Sequence, residues 1–208
     1  TSEMFGKVAQ IPQNEKTPFH PRSPYGCAKL FGHAITVNYR EAYGIFGCSG
    51  ILFNHESPLR GTDFITRKVT KGLAKWKKTG EHTLVGNLDA VRDWGHAEDF
   101  VEGMVKMMNM QRPDDYVLAT GQTHTVREWI EKCLEYAGIK PLWVGNSVSD
   151  YDTGRLIFKS DTKNFRPAEV DILKGDASKA RKVLDWKPKH TIDTLVRDMV
   201  DADMRRYG

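Results

Sequence analysis

An α/β fold with a largely parallel sheet and a second, smaller lobe is what the sequence predicts, and three observations carry it. Apolar runs of strand length alternate with capped helical patterns through residue 120. The run Ile51-Leu52-Phe53 is apolar throughout, as in a strand covered on both faces of a parallel sheet. After Gly121 the elements shorten, which marks the smaller lobe.

Taken in order, Thr1 to Gly6 reads as the end of a strand entering a loop, so a preceding segment is expected. Residues 4–23 carry Pro12, Pro18 and Pro21 and no period, and are expected to form a long surface loop, of a length more often functional than idle. Ser23-Pro24 supplies an N-cap and a proline at the first helical position, and Gly44 a stop, so the helix runs from Pro24 to Tyr43. A strand follows over Phe46 to Asn54, then the loop Asn54-His55-Glu56-Ser57-Pro58. Thr62 to Lys78 is a basic amphipathic helix, His82 to Val85 a strand, Ala97 to Met110 a Met-rich helix and Tyr116 to Thr120 a strand.

Thr125-Val126-Arg127-Glu128 has the form of a capping box, and its helix should end at Gly138. Leu142 to Val144 and Leu156 to Phe158 are strands around a polar turn, Gly145 to Gly154. Asp176 caps a helix to Leu184, and Ile192, Leu195, Val196, Met199 and Val200 form the apolar stripe of the last helix.

Composition narrows the function. With 39% hydrophobic and 28% charged residues, the 208-residue chain can bury a core and is not a disordered or collagen-like sequence. A formal charge of +4, interspersed instead of gathered into a stripe, argues against nucleic acid as a partner. Cys27, Cys48 and Cys133 are odd in number and widely spaced, which indicates neither a disulfide framework nor a zinc cluster and fits a reducing compartment. There is no apolar run of spanning length and no leader pattern, so a cytosolic location without membrane contact is expected.

Tyr25 and Lys29 lie at i and i+4, so both project from one helix face. A nearby ammonium favours phenolate and lets a tyrosine act as a base near neutral pH. An exposed lysine beside a half-buried tyrosine is the plainer alternative. Thr1 and Glu3 at a strand end, the capped helix and Ile51-Leu52-Phe53-Asn54 together resemble the extended short-chain dehydrogenase/reductase family. The strings Thr1 to Gly6, Pro21 to Gly26, Gly50 to Pro58, Gly86 to Asp89, Arg92 to His96 and Phe165 to Val170 are similar, within it, to the GDP-mannose 4,6-dehydratase family. The likeness covers essentially the whole chain. That family opens with a strand and a Gly-x-x-Gly-x-x-Gly turn for the dinucleotide pyrophosphate, which this chain lacks; Gly44, Gly47 and Gly50 have the spacing but fall at a helix stop and in a strand.

The resemblance implies the remaining half of a Rossmann-like parallel sheet domain, residues 1–58 and 88–120, plus a smaller α/β GDP-sugar lobe, residues 59–87 and 121–208. It implies NADP as cofactor and GDP-mannose as substrate. Thr1, Glu3, Tyr25 and Lys29 take the catalytic positions, with Tyr25, Lys29, His55 and Arg60 toward the cofactor. Asn54, Lys68, Arg92, Arg166 and Glu169 fall at substrate positions. His55 reads equally as a loop-stabilising hydrogen-bond donor.

In that scheme Glu3 takes the C5 proton, which sets a dehydratase apart from the related 4-epimerases. A homo-oligomer, dimer or tetramer, is expected of the complete protein. Two other readings stay open: a GDP-4-keto-6-deoxyhexose reductase or another short-chain sugar-nucleotide enzyme, and a non-catalytic GDP-sugar-binding chain. No metal is expected. His33, His82, His124 and His190 have no second ligand at metal spacing, Asp150-Tyr151-Asp152 reads as exposed acids, and Met104, Met107, Met108 and Met110 as core or subunit contact.

Overall fold

The computed structural model describes residues 1–161, 163 and 172–208. A 3-10 turn over Ser2–Met4 opens the chain where a strand end is expected. A strand would send Met4 and Phe5 to opposite faces, whereas both are buried in one cluster with Ile51, Phe53 and Val117. Gly6 completes the turn at φ +51°, where a Cβ would strike the His20 carbonyl.

Helix α1 spans Pro24–Tyr43, with the Ser23 hydroxyl accepting from Gly26 N at 3.0 Å and Gly44 closing it at φ +65°. The single strand expected over Phe46 to Asn54 is instead β1 (Ser49–Leu52) and β2 (Asn54–Glu56); Phe46 and Gly47 precede β1 in a tight turn from Ile45 O to Gly47 N. Next come α2 (Ile65–Thr79), β3 (Thr83–Val85), β4 (Val91–Arg92), β5 (Trp94–His96), α3 (Ala97–Met108), β6 (Asp115–Leu118) and β7 (His124–Thr125).

Helix α4 (Val126–Tyr136) starts on the expected capping box, with Thr125 and Glu128 exchanging bonds of 3.0 Å each way. Strands β8 (Pro141–Val144), β9 (Ser147–Asp150) and β10 (Leu156–Ser160) follow. Strand β9 occupies the middle of what reads as a polar turn; it alternates half-buried Ser147 and Ser149 with buried Val148 and Asp150. Asp150 is therefore no exposed acid, and its carboxylate accepts from Thr153 Oγ1 at 2.6 Å. Strand β11 (Ile172–Leu173), α5 (Ser178–Leu184) and α6 (Ile192–Tyr207) complete the chain.

The chain divides into two compact units. The first comprises Thr1–His55, Arg92–Thr123 and Val170–His190. Its β1 and β6 pair in parallel with Ile51 opposite Val117. Side-chain alternation gives the pair two covered faces. Ile51, Phe53, Val117 and Ala119 pack with Met4, Phe5 and Leu173, while Tyr116 and Leu118 pack with Phe100, Met107, Ala180, Leu184 and Trp186. Burial of this kind is worth roughly 1.5–3 kcal/mol for each large apolar side chain.

The expectation that all of residues 121–208 belong to the second lobe needs correction. Helix α5 lies instead in the first unit, because Ala180, Leu184 and Trp186 fill the face of β6, and Trp186 Nε1 donates to Asp99 O at 2.7 Å. The outer edge of β6 is closed by side chains: Val117 N donates to Glu15 Oε1 at 2.7 Å and Lys179 Nζ to Asp115 O at 2.8 Å.

The second unit comprises Glu56–Val91, His124–Glu169 and Thr191–Gly208. Strands run in the order β3-β10-β9-β8, parallel between β3 and β10 and antiparallel elsewhere. Helices α2, α4 and α6 pack on one another. Polar side chains register them: Arg67 meets Asp203 at 2.8 Å, Thr70 Oγ1 donates to the same carboxylate at 2.6 Å, and Trp76 Nε1 donates to Leu156 O at 2.8 Å.

Candidate functional site

The N-terminal turn and α1 meet at Gly26. A Cβ there would lie 2.8 Å from Glu3 O and 3.0 Å from Pro21 Cβ, so only glycine lets the helix approach the turn this closely. That contact brings four expected residues into one corner. Thr1 Oγ1 accepts from Glu3 N at 3.4 Å, which leaves the threonine hydroxyl proton free to donate elsewhere. On the helix, Lys29 Nζ lies 5.5 Å from the Tyr25 ring centroid.

Tyr25 is 54% exposed, so the half-buried tyrosine of the plainer reading is not what the fold contains. A phenol and an ammonium at the start of α1 thus lie on the helix that packs against the turn carrying a hydroxyl and a half-buried carboxylate. This set can take a proton from a hydroxyl and another from carbon. It also suits the nicotinamide-ribose end of a dinucleotide, since two polar groups on one helix face are open to a ligand and Gly26 keeps the backbone low beside them.

Elsewhere in the first unit, Asn54 and Arg92 are half-buried. His55 Nδ1 stands 2.9 Å from Phe53 O, and a carbonyl only accepts, so this nitrogen carries the proton and stabilises the loop. The ring also packs on Phe100 at 5.1 Å.

In the second unit, Lys68 on α2 lines a groove of about 420 Å³ with Lys75, Glu81, His82 and Thr83, and an adjoining one that adds Asp63 and Lys71, so lysines line both grooves with one acid in each. Arg60 is held at its loop by Glu56, 3.2 Å away. Arg166 and Glu169 lie outside the described residues.

Sequence reasoning missed several polar groups. Burial pushes the Glu56 carboxyl up to about 7, against the opposing pull of Arg60 and of the Thr66 hydroxyl. Buried Asp93 is raised for the same reason, although it accepts from Thr120 N at 3.0 Å, Thr120 Oγ1 at 2.6 Å and Gly121 N at 2.9 Å, and so fixes the loop after β6.

The expectation that His190 has no second ligand needs correction. Its ring stacks on His96 at 4.1 Å and its Nε2 lies 3.4 Å from Glu98, a grouping that metal-ligand spacing in sequence could not reveal because 94 residues separate the two histidines. The rings lie 19° from parallel at the N-terminus of α3, where His96 Nδ1 accepts from Glu98 N at 3.2 Å and the helix dipole disfavours a cation. Of the four methionines, Met107 is buried in the core and Met104 and Met108 are exposed.

The fold is shared with solved sugar-nucleotide enzymes. RMD from Pseudomonas aeruginosa, solved in complex with NADPH, superposes with a TM-score of 0.82 at 21% identity, over 98% of this chain and 64% of that one. A dTDP-glucose 4,6-dehydratase from Bacillus anthracis, in complex with NAD, gives 0.80 at 19% identity, over 99% and 60%. The class defined by fold is therefore the α/β architecture that these two structures share.

A family model described as GDP-mannose 4,6 dehydratase matches residues 1–199, and the chain belongs to that family. GDP-mannose 4,6 dehydratases from Drosophila melanogaster and Homo sapiens are 52% and 50% identical to it over 98% of its length. The chain spans about half of each, 53% and 56%.

Proposed function

We propose that the chain is the part of a GDP-mannose 4,6-dehydratase that performs the proton chemistry, converting GDP-mannose to GDP-4-keto-6-deoxymannose with NADP. The observation that carries the reading is the corner of Thr1, Glu3, Tyr25 and Lys29 on two elements joined at Gly26. The names of the Drosophila and human relatives support the substrate, and the NADPH or NAD held by the solved neighbours supports a nicotinamide cofactor, of which NADP is our choice.

When bound, the nicotinamide would supply a hydride acceptor for C4 of the sugar and a hydride donor for C6. Tyr25 takes the proton of the 4-hydroxyl as that hydride leaves, and Lys29 holds the nicotinamide ribose and favours the phenolate. The free proton of the Thr1 hydroxyl donates to the 4-oxygen. With C4 a ketone, the C5 hydrogen is acidic; Glu3 removes it and passes a proton to the departing C6 hydroxyl, which leaves as water, and as hydride returns to C6 one proton, equivalent to that taken by Tyr25, goes back to C5, so both residues end as they began. The net change is loss of one water, with the cofactor restored.

Asn54, Lys68, Arg92, Arg166 and Glu169 are assigned by family position to the nucleotide diphosphate and ribose, and His55 and Arg60 to the cofactor. The intact protein is assigned to the cytosol as a homo-oligomer. Glu3→Gln in the intact protein tests the scheme. It keeps shape and hydrogen bonding but cannot take the C5 proton, so GDP-mannose should give a rise in NADPH absorbance while product formation nearly stops. An ordinary rate of 4-keto-6-deoxy product would put the base elsewhere.

A further inference from the structure

Glu56 is 1% exposed, yet nothing in the proton chemistry uses it. Its Oε2 is the meeting point of two groups: the Thr66 hydroxyl donates to it at 2.5 Å from the first turn of α2, and Arg60 Nε stands 3.2 Å away. Arg60 is constrained on three further sides. Its guanidinium carbon lies 3.6 Å from the Phe64 ring centroid, its backbone N–H donates to Ser57 O at 2.9 Å, and its carbonyl accepts from Arg67 Nη1 at 2.8 Å.

Among the described residues, no protein acceptor meets Arg60 Nη1 or Nη2, and the side chain stays 22% exposed. The guanidinium therefore has one face on the Phe64 ring and its Nε in an ion pair with Glu56 that lacks hydrogen-bond geometry, while its terminal pair of nitrogens is open. A fork held this way has already lost the rotamer freedom that an anion would otherwise have to remove, and it suits two oxygens of a phosphate.

We propose that Glu56 is a positioning residue: its buried carboxylate, with the Phe64 ring, aims the open edge of Arg60 at a phosphate of the dinucleotide. The proposal rests on the assignment of Arg60 to the cofactor. A buried carboxylate is costly to keep even when paired, and a hydrophobic side chain of similar size would pack there more cheaply. Its retention is explained by orientation of the arginine and not by stability.

The test is a mutant cycle in the intact protein, with NADP affinity measured by calorimetry and kcat at saturating NADP. Arg60→Ala should weaken NADP binding by roughly tenfold or more, the scale of a lost charge-assisted hydrogen bond. Glu56→Gln should weaken it about three- to tenfold, leave kcat at saturation within about twofold, and add nothing on the Arg60→Ala background. Phe64→Leu, at a position 46% exposed, is the variant least able to harm folding and should reproduce the loss, again only when Arg60 is present.

If Arg60→Ala weakens binding while Glu56→Gln and Phe64→Leu leave it at the parent value, or act additively with it, the positioning role is wrong and the Arg60 assignment stands. If Arg60→Ala itself has no effect on NADP, that assignment falls and takes the proposal with it. A fall in kcat at saturation with NADP affinity intact would also overturn it.

Discussion

Helices α1 and α2 are both long and both carry residues assigned to the site, but they are held in opposite ways. Helix α2 buries eight of its 15 residues, among them a charged one, Arg67. Helix α1 buries Gly26 alone in 20 residues and exposes Phe31, Ile35, Tyr39 and Tyr43. What fixes α1 is its ends: Gly26 against the Glu3 carbonyl at one, and Arg40 in a two-pronged pair with Asp115 at the other, at 2.9 and 3.1 Å. A helix pinned at its ends can leave Tyr25 and Lys29 open to a ligand. One pinned along its length offers only its rim, which is where Lys68 lies.

If this contrast is right, chemistry and stability should separate by helix. The largest effect should come from Tyr25→Phe in the intact protein. Turnover should fall by roughly 10² or more, while the melting temperature hardly moves because the side chain is 54% exposed. A fall in melting temperature with turnover retained would erase the contrast from the α1 side. Next in size, Asp203→Ala should cost about 3–5 kcal/mol in urea unfolding, since it strands Arg67, whose side chain is 6% exposed, with no counter-charge. A loss below about 1 kcal/mol would mean that α2 is held by its apolar face alone.

A third probe uses pH. Glu56 has a raised folded value of about 7 against 4.5 for an ordinary carboxyl, so the native state binds the extra proton between those limits. Stability from this group is complete below about 4.5 and is lost as pH rises through about 7, on the order of 2–3 kcal/mol in all. Glu56→Gln should flatten that slope in unfolding measured from pH 4.5 to 7.5, and an unchanged slope would assign it to another group. The smallest change, about 1–3 kcal/mol, is expected of Gly26→Ala, because the atom it meets is backbone and cannot swing away. That variant should also reduce turnover by shifting Glu3, whereas Gly32→Ala, with open space around it, should do neither.

The two helices also differ in how far the sequence disclosed them. Both ends of α1 are written locally, in Ser23, Pro24 and Gly44, and the expected bounds match the helix residue for residue. The start of α2 has no side-chain cap, and the expected Thr62 is three residues early. The same rule governs the rest. Thr125 and Glu128 announced α4 because a capping box is a four-residue signal. Strand β9 was hidden because Ser-Val-Ser-Asp has the composition of a turn and becomes a strand only between β8 and β10.

Of the site, Tyr25 and Lys29 were legible from their i, i+4 spacing, and Thr1 and Glu3 only through family likeness. The turn that brings those last two against α1 depends on Met4 and Phe5 sharing one apolar cluster, which no local pattern encodes. Glu56 was hidden for a similar reason. A Glu in Asn-His-Glu-Ser-Pro looks like a solvated loop acid until α2 folds over it and Thr66 reaches its carboxylate.

The capped outer edge of β6 has a consequence for sheet growth. On that rim the outward-pointing N–H of Val117 and carbonyl of Asp115 are already taken by Glu15 and Lys179, so an incoming strand would have to displace a carboxylate and an ammonium before forming its first ladder bond. Among the described residues β1 pairs with β6 alone. On the β6 rim the sheet behaves like a passivated crystal face: two charged side chains occupy the bonding sites, and growth there, native or adventitious, is opposed before it starts.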